Sequence, residues 1–330
     1  MFTIPDDVRF HSYYRDIPAD NFTWSTDWSK FVGIPGLLPG ERLIYDNGHY
    51  MIRLTNAYWH YSIYISIVYV FIIFAIKSLM SRKETGFDLR YGLITWNLFL
   101  TLFSFIGTIR CLPEFFHVLY NNGFVASYTQ NTYVDDIRVN AWYLFFTLSK
   151  APEMVDTLFI VLRKRRLINL HWIHHTLTLI YSWFVFGDMP STARWMVNMN
   201  LVIHTMMYLY YALAAMRIRI PRQVSITITT LQIVQMFVGL YINVDCLHRK
   251  LSAMPCDLSF SAALSGFSLY FLFFVLFVNF FIRTYIIPTS SKAVKAAVAN
   301  GKTILADLNN NSAKDKSAAA TCGEMVKKLQ

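Results

Sequence analysis

Three histidines, His171, His174 and His175, sit within Leu-Ile-Asn-Leu-His-Trp-Ile-His-His-Thr-Leu-Thr-Leu-Ile-Tyr at 167–181, a stretch otherwise apolar enough to enter a bilayer. Titratable side chains are costly to place in a membrane, and those that persist face a protein interior or a cavity. Similar polar groups recur at helical spacing elsewhere: Lys150, Glu153, Asp156 and Thr157; Asn200, His204, Met207, Tyr208 and Tyr211; Thr229, Gln232 and Gln235. At about 100° per residue, Lys150, Glu153 and Thr157 fall within about 60° of one another, and Asn200, His204, Met207 and Tyr211 do the same. Each group also has a plainer reading. Lys150 and Glu153, three apart, can form a structural ion pair; a lone histidine such as His204 can be a packing residue; intramembrane glutamines can be interhelical glue.

A His-x-x-His-His box is shared with iron-dependent membrane desaturases and hydroxylases, so metal binding is one chemistry open to this set. Of the nine histidines, His11, His49, His60, His117 and His248 are expected at or beyond the opposite side of the membrane, which leaves four near one cavity and no second box. A single four-histidine metal site remains an alternative. Acyl transfer suits the set better. Imidazole can form a covalent intermediate, its unperturbed pKa near 6.5 makes the neutral form available at cytosolic pH, and Lys150 with nearby amide donors could stabilise an oxyanion. No cysteine is expected in the cavity to supply a thiol nucleophile.

The elements that must position these groups are membrane helices. The chain is 55% hydrophobic, 17% aromatic and only 15% charged, too apolar for an ordinary soluble domain. A spanning helix needs roughly 20 mainly apolar residues, and seven segments qualify, near 57–78, 91–109, 138–162, 170–187, 195–215, 224–244 and 261–283. The expected fold is therefore all-α and multi-pass, with seven transmembrane helices over 57–285, a lumenal segment over 1–56 and a flexible cytosolic tail over 286–330. The start lacks a charged-then-apolar leader, so the first span is expected to direct insertion. The net charge of +10 follows from loops on one side. Lys77, Arg82, Lys83 and Arg90, then Arg163, Lys164, Arg165 and Arg166, then Arg217, Arg219 and Arg222 alternate with poorer loops holding Arg110 and Arg138, then Arg194, then Arg249 and Lys250 beside Asp245 and Asp257. That bias puts the N-terminus in the lumen and the C-terminus in the cytosol, and gives nucleic acid no role.

Asn21-Phe22-Thr23 is then a usable glycosylation sequon, while Asn310 falls on the cytosolic side. Cys111, Cys246 and Cys256 fall at lumenal ends or loops, where Cys111 with Cys246 or Cys256 could form a disulfide and three free thiols is the alternative. Cys322 is expected to stay reduced. Lys327 and Lys328, third and fourth from the C-terminus, resemble a dilysine endoplasmic-reticulum retrieval signal.

In order, Lys150-x-x-Glu153-x-x-Asp156-Thr157, His171-x-x-His174-His175, Asn200-x-x-x-His204-x-x-Met207-Tyr208-x-Tyr210-Tyr211 and Thr229-x-x-Gln232-x-x-Gln235 resemble the four signature motifs of the ELO family of fatty acid elongases, over roughly residues 57–285. The resemblance implies a 3-oxoacyl-CoA synthase of the endoplasmic reticulum that condenses acyl-CoA with malonyl-CoA, releasing CoA and carbon dioxide, with no metal and no cofactor. His171, His174, His175 and His204 would line the catalytic cavity. Beyond the resemblance, the expected mechanism has His174, alone or with His204, accept the acyl group or promote decarboxylation of malonyl-CoA. Lys150, Glu153 and Asp156 would orient the thioester. Asn200, Tyr208, Tyr211, Gln232 and Gln235 are expected to bind substrate, and Arg163 and Arg165 to attract CoA phosphates, although that run is also explained by topology alone. Trp172 and Tyr181-Ser182-Trp183 look like the branch that acts on saturated and monounsaturated chains. The implied partners are acyl-CoA, malonyl-CoA, membrane lipid, the reductases and dehydratase of the elongation cycle and a second copy of the chain. A seven-span receptor or transporter is the other functional class, disfavoured by the absence of an inverted repeat.

Overall fold

A helix that is hydrophobic all round must be covered on every face, by protein or by lipid. Tyr61–Ser81 (α1) shows this in the computed structural model, which describes residues 33, 36–44, 54, 55 and 57–287. Its buried residues Ser62, Ser66, Tyr69, Ile73 and Met80 form one helical stripe, while Tyr64, Ile67, Val68 and Phe71 point away from the protein. That outer face is long and apolar enough to meet the hydrocarbon of a bilayer.

Among the described residues α1 is followed by α2 (Arg90–Asn121), α3 (Gly123–Thr129), α4 (Ile137–Ser149), α5 (Val155–Leu162), α6 (Asn169–Phe186), α7 (Ala193–Ala215), α8 (Arg222–Leu251) and α9 (Phe260–Phe281). No strand is present among them. They fall into two compact units, one up to Val278 and one from Asn279. In the second, a π-helical turn covers Ile282–Ile286, and Arg283 Nε donates to Asn279 Oδ1 at 2.9 Å.

Four helical stretches, α1, α2, α8 and Phe260–Ile286, are long and apolar enough to cross a membrane. The other three expected spans coincide with helices but do not meet that test by length and composition. The third is broken between α4 and α5 by a 3₁₀ turn at Pro152–Met154, where proline removes a backbone donor. The fourth and fifth, α6 and α7, carry the histidines and asparagines. Two helices run further than the expected 91–109 and 224–244: along α2, Arg110 and Glu114 find partners inside the bundle, and along α8, Asp245 pairs with Arg249 one turn on while both stay partly exposed.

Those partners revise the loop-charge reading at the end of the bundle away from Arg163–Arg166. Arg110, Arg138 and Arg194 are buried rather than exposed in loops. Arg194 Nη2 lies 3.0 Å from Glu114 Oε1, and Arg138 Nη2 lies 2.7 Å from Asp136 Oδ2. Arg110 Nε and Nη2 donate to Glu41 Oε1 and Oε2 at 2.7 and 2.6 Å, and Trp142 Nε1 also donates to Glu41 Oε1, at 2.7 Å. Asp136 caps α4 as well, accepting from the backbone N–H of Arg138. Glu41 and Ile44, within the segment expected to lie outside the bundle, are buried against it.

The expected Cys111–Cys246 disulfide is not formed: both thiols and Cys256 are free and buried. Cys111 packs with Tyr133, Ile137 and Leu144, whereas Cys246 packs with Cys256, Leu258 and Ile242 in a different cluster. Asn21, Asn310, Cys322, Lys327 and Lys328 lie outside the described residues.

Helices α2 and α7 make the most extensive pairing, α1 lies against α5 and α6, and α8 lies against α7. The Tyr270 ring of α9 lies directly on Gly239 of α8, so that a Cβ there would overlap it. Overpacking of this kind typically costs about 1–3 kcal/mol. Gly239→Ala should therefore lower the melting temperature in detergent, read by intrinsic fluorescence; an unchanged melt would show that Tyr270 can move aside.

Candidate active site

The break in the third helical stretch builds the first half of the site. α4 ends at Ser149, the 3₁₀ turn carries Glu153, and α5 resumes with Asp156 and Thr157 in its first turn. Lys150 Nζ donates to Glu153 Oε1 at 2.7 Å, and Ser149 Oγ donates to the same oxygen at 2.8 Å. Both charged groups are buried, so this is the structural ion pair that their spacing allowed. It leaves Lys150 with further N–H donors, and its ammonium also lies 3.9 Å from the centre of the Phe146 ring.

One helical turn on, Asp156 is held from two other helices. Trp96 Nε1 of α2 donates to Oδ1 at 2.6 Å, and the Tyr208 hydroxyl of α7 donates to Oδ2 at 3.0 Å. His175 Nε2 lies 4.0 Å from Oδ2. Thr157 Oγ1 is 3.0 Å from His171 Nε2 and shares a 2.6 Å hydrogen bond with the Tyr69 hydroxyl of α1.

Helix α6 supplies the histidine cluster. The His171 and His175 ring centroids are 4.5 Å apart, and those of His174 and His175 are 5.8 Å apart. His204 on α7 is paired with Asn200 one turn earlier, Nε2 to Nδ2 at 3.1 Å, and its ring meets Tyr208 edge-on. His174 differs from the others. Its Nδ1 is buried with no hydrogen-bond partner, and its ring rests 4.7 Å from that of Phe273.

His174 also lines a narrow cavity of about 100 Å³. Lys150, His174, Asn200 and Gln235 gather the polar groups at one end; Tyr181, Met196, Tyr270 and Phe273 wall the middle; and Tyr133, Met189 and Pro190 stand at the far end. At the far end the Tyr133 hydroxyl donates to the Pro190 carbonyl at 2.9 Å, beside Met189 with its left-handed φ of 44°. From His174 to Phe186, both lining residues, the cavity follows about 18 Å of α6 at 1.5 Å per residue. A long apolar slot with a few polar groups at one end fits an amphiphile with a single long chain.

A second, polar cleft opens at the Arg163 end. Asp88, Arg90, Arg163, Arg165 and Arg217 line it. Arg90 Nε and Nη2 donate to the Ala215 and Met216 carbonyls at 3.0 and 3.2 Å, satisfying the C-terminus of α7. Lys164 Nζ donates to the Lys83 carbonyl and joins the two adjacent loops. Arg90 and Arg163 lie six and seven residues along α2 and from α5 beyond Trp96 and Asp156, or roughly 10 Å along each helix.

The residues expected from the sequence thus separate into groups. Lys150, Glu153, Asp156, His171, His174, His175, Asn200, His204 and Tyr208 form one connected cluster, and Gln235 meets it across the cavity. Gln232 donates instead to Met207 Sδ at 3.4 Å and is not part of the cavity lining. Tyr211 is 46% exposed on the outer face of α7. Arg163 and Arg165 belong to the polar cleft. Among the described residues no three His, Cys, Asp or Glu side chains are placed to hold a metal ion. Trp96 and Tyr69 are functional contacts that sequence reasoning missed, since a single Trp or Tyr in an apolar span carries no pattern.

Comparison with known proteins adds an independent finding. Residues 54–293 match the profile of the ELO: GNS1/SUR4 family. The chain is 40% identical over 244 residues to a very long chain fatty acid elongase 6 of Drosophila melanogaster, covering 73% of this chain and 77% of that one. It is 40% identical over 225 residues to long chain fatty acid elongase 2 of Caenorhabditis elegans, covering 67% and 82%. It is 34% identical over 242 residues to very long chain fatty acid elongase 3 of Homo sapiens, covering 73% and 88%.

Proposed function

Because this chain belongs to the ELO (GNS1/SUR4) family and is a fatty acid elongase, a 3-oxoacyl-CoA synthase, we propose that its condensation of acyl-CoA with malonyl-CoA runs on His174. The observation that carries the assignment is the unpartnered, buried Nδ1 of His174 beside the long apolar cavity. A nucleophile needs a free lone pair, and of the four histidines only His174 lines the cavity. His171 and His204 each have a nitrogen at hydrogen-bond distance from Thr157 and Asn200.

The acyl chain lies along the cavity with its thioester at the Lys150–His174 end. The imidazole attacks the thioester carbon, CoA leaves as the thiolate, and the acyl group stays on the ring. Loss of carbon dioxide from malonyl-CoA then leaves the electron pair of the broken C–C bond on its α-carbon. That carbon attacks the acyl carbon, forms the new C–C bond and releases the ring. The electrons come from decarboxylation, so no metal or cofactor is called for. Lys150, with donors remaining beyond its bond to Glu153, stabilises the oxyanion. Asp156, held by Trp96 and Tyr208, keeps α2, α5 and α7 in register around the cluster. Arg163 and Arg165 in the polar cleft suit CoA phosphates.

We place the protein in the endoplasmic-reticulum membrane with seven passes, its arginine-rich cleft toward the cytosol, its N-terminus in the lumen and its C-terminus in the cytosol. The reductases and dehydratase that consume a 3-oxoacyl-CoA are its functional partners, and a second copy of the chain is a further one. Trp172 and Tyr181-Ser182-Trp183 favour saturated and monounsaturated primers.

Microsomes expressing the chain should incorporate labelled malonyl-CoA into acyl chains two carbons longer than the primer, best with saturated and monounsaturated primers. A preference for polyunsaturated primers would reverse the branch assignment.

A further inference from the structure

Tyr69 stands on α1, away from the acyl cavity, yet its hydroxyl enters the site through one intermediary. The 2.6 Å bond to Thr157 Oγ1 and the 3.0 Å step from that oxygen to His171 Nε2 link α1, α5 and α6 in a single file. Thr157 is fully buried and Tyr69 is 7% exposed, so water does not compete for these groups.

Counting protons gives the chain a direction. Tyrosine and threonine hydroxyls have one O–H each, and a neutral imidazole has one N–H and one acceptor nitrogen. The phenol is the more acidic of the two hydroxyls and the better donor. When Tyr69 donates to Thr157, the Thr157 proton is free to donate to His171 Nε2, and the His171 proton then sits on Nδ1. His171 in turn meets the His175 ring edge-on at 4.5 Å, and His175 is the residue next to His174.

We propose that Tyr69 is a positioning residue of the condensation reaction, acting through Thr157 to fix the tautomer and ring orientation of His171 and hence the packing of the histidine cluster. This rests on the elongase reaction running at that cluster. It gives α1 a role in the reaction without any contact with substrate.

The test uses the full chain in microsomes, with Tyr69→Phe, Thr157→Val, the double variant and Thr157→Ser, reading kcat and KM for acyl-CoA and malonyl-CoA beside melting in detergent. Tyr69→Phe removes one oxygen and should lower kcat about tenfold with both KM values unchanged. Thr157→Val should do the same, and the double variant should be no slower than the slower single one, because both break the same file. Thr157→Ser keeps the hydroxyl and should restore the wild-type rate within about twofold. A wild-type kcat for Tyr69→Phe, or losses that multiply in the double variant, would overturn the proposal. A Tyr69→Phe chain that fails to fold is replaced by the Thr157→Val and Thr157→Ser pair, whose equal rates would also overturn it. An active wild type with an indifferent Tyr69→Phe sinks this inference alone, whereas an inactive wild type sinks the reading of the site.

Discussion

Replacing His174 with alanine should lower the condensation rate at least about a thousandfold, as expected when a covalent nucleophile is removed. The bundle should stay folded. The ring occupies the cavity wall rather than a closed core, rests on Phe273, and leaves its Nδ1 without a bond that the fold would lose. His171→Ala and His175→Ala should be milder in rate for the same truncation, because those rings meet Thr157 and, at 4.0 Å, Asp156. Initial rates with labelled malonyl-CoA, measured beside detergent melting curves, check this ordering. A His174→Ala chain that keeps more than about a tenth of wild-type activity would be incompatible with a nucleophile at that position.

The largest stability effect is expected at Arg194, far from the reacting groups. It is fully buried and gives each donor a partner: Glu114 at 3.0–3.2 Å, the Ser127 and Gln130 carbonyls at 2.7 Å each, and Thr132 Oγ1 at 2.8 Å. Arg194→Met strands the Glu114 carboxylate and two carbonyls. Removing one partner of a buried pair costs about 3–5 kcal/mol, which for a chain of this size corresponds to a fall on the order of 10 °C in melting temperature. Arg194→Lys should recover only part of it, because an ammonium cannot reproduce the planar fork. Adding Glu114→Leu to Arg194→Met should recover more by removing the unpaired charge. A single Arg194→Met variant melting within about 2 °C of wild type would show that the network contributes little.

The site was more legible in the sequence than the membrane architecture, and for one physical reason. Lys150, Glu153, Asp156, His171, His174, His175, Asn200 and His204 repeat at helical spacing, so phase alone brings them to common faces, and the structure joins them. The same polar residues erode the hydropathy of the third, fourth and fifth spans, which is why these helices fall short of the length-and-composition test that α1, α2 and α8 meet. Long-range pairing is what the sequence hides. Arg110 and Arg194 look like loop charges because Glu41 and Glu114 are 69 and 80 residues away. The choice between Tyr208 and Tyr211 turns on which side of the helical wheel meets α5, and only packing decides it. Trp96 and Tyr69 are single residues whose partners, Asp156 and Thr157, lie on another helix.

An acyl group that passes through His174 leaves a covalent intermediate that can be trapped. Incubating the purified full chain with acyl-CoA in the absence of malonyl-CoA, quenching, digesting and sequencing by mass spectrometry tests for it most directly. The expected result is a mass increase of one acyl group on the peptide carrying 171–175, localised to His174, stoichiometric with released CoA and discharged when malonyl-CoA is added. An adduct on His204 or any other residue, or release of no CoA until malonyl-CoA is present, would contradict it.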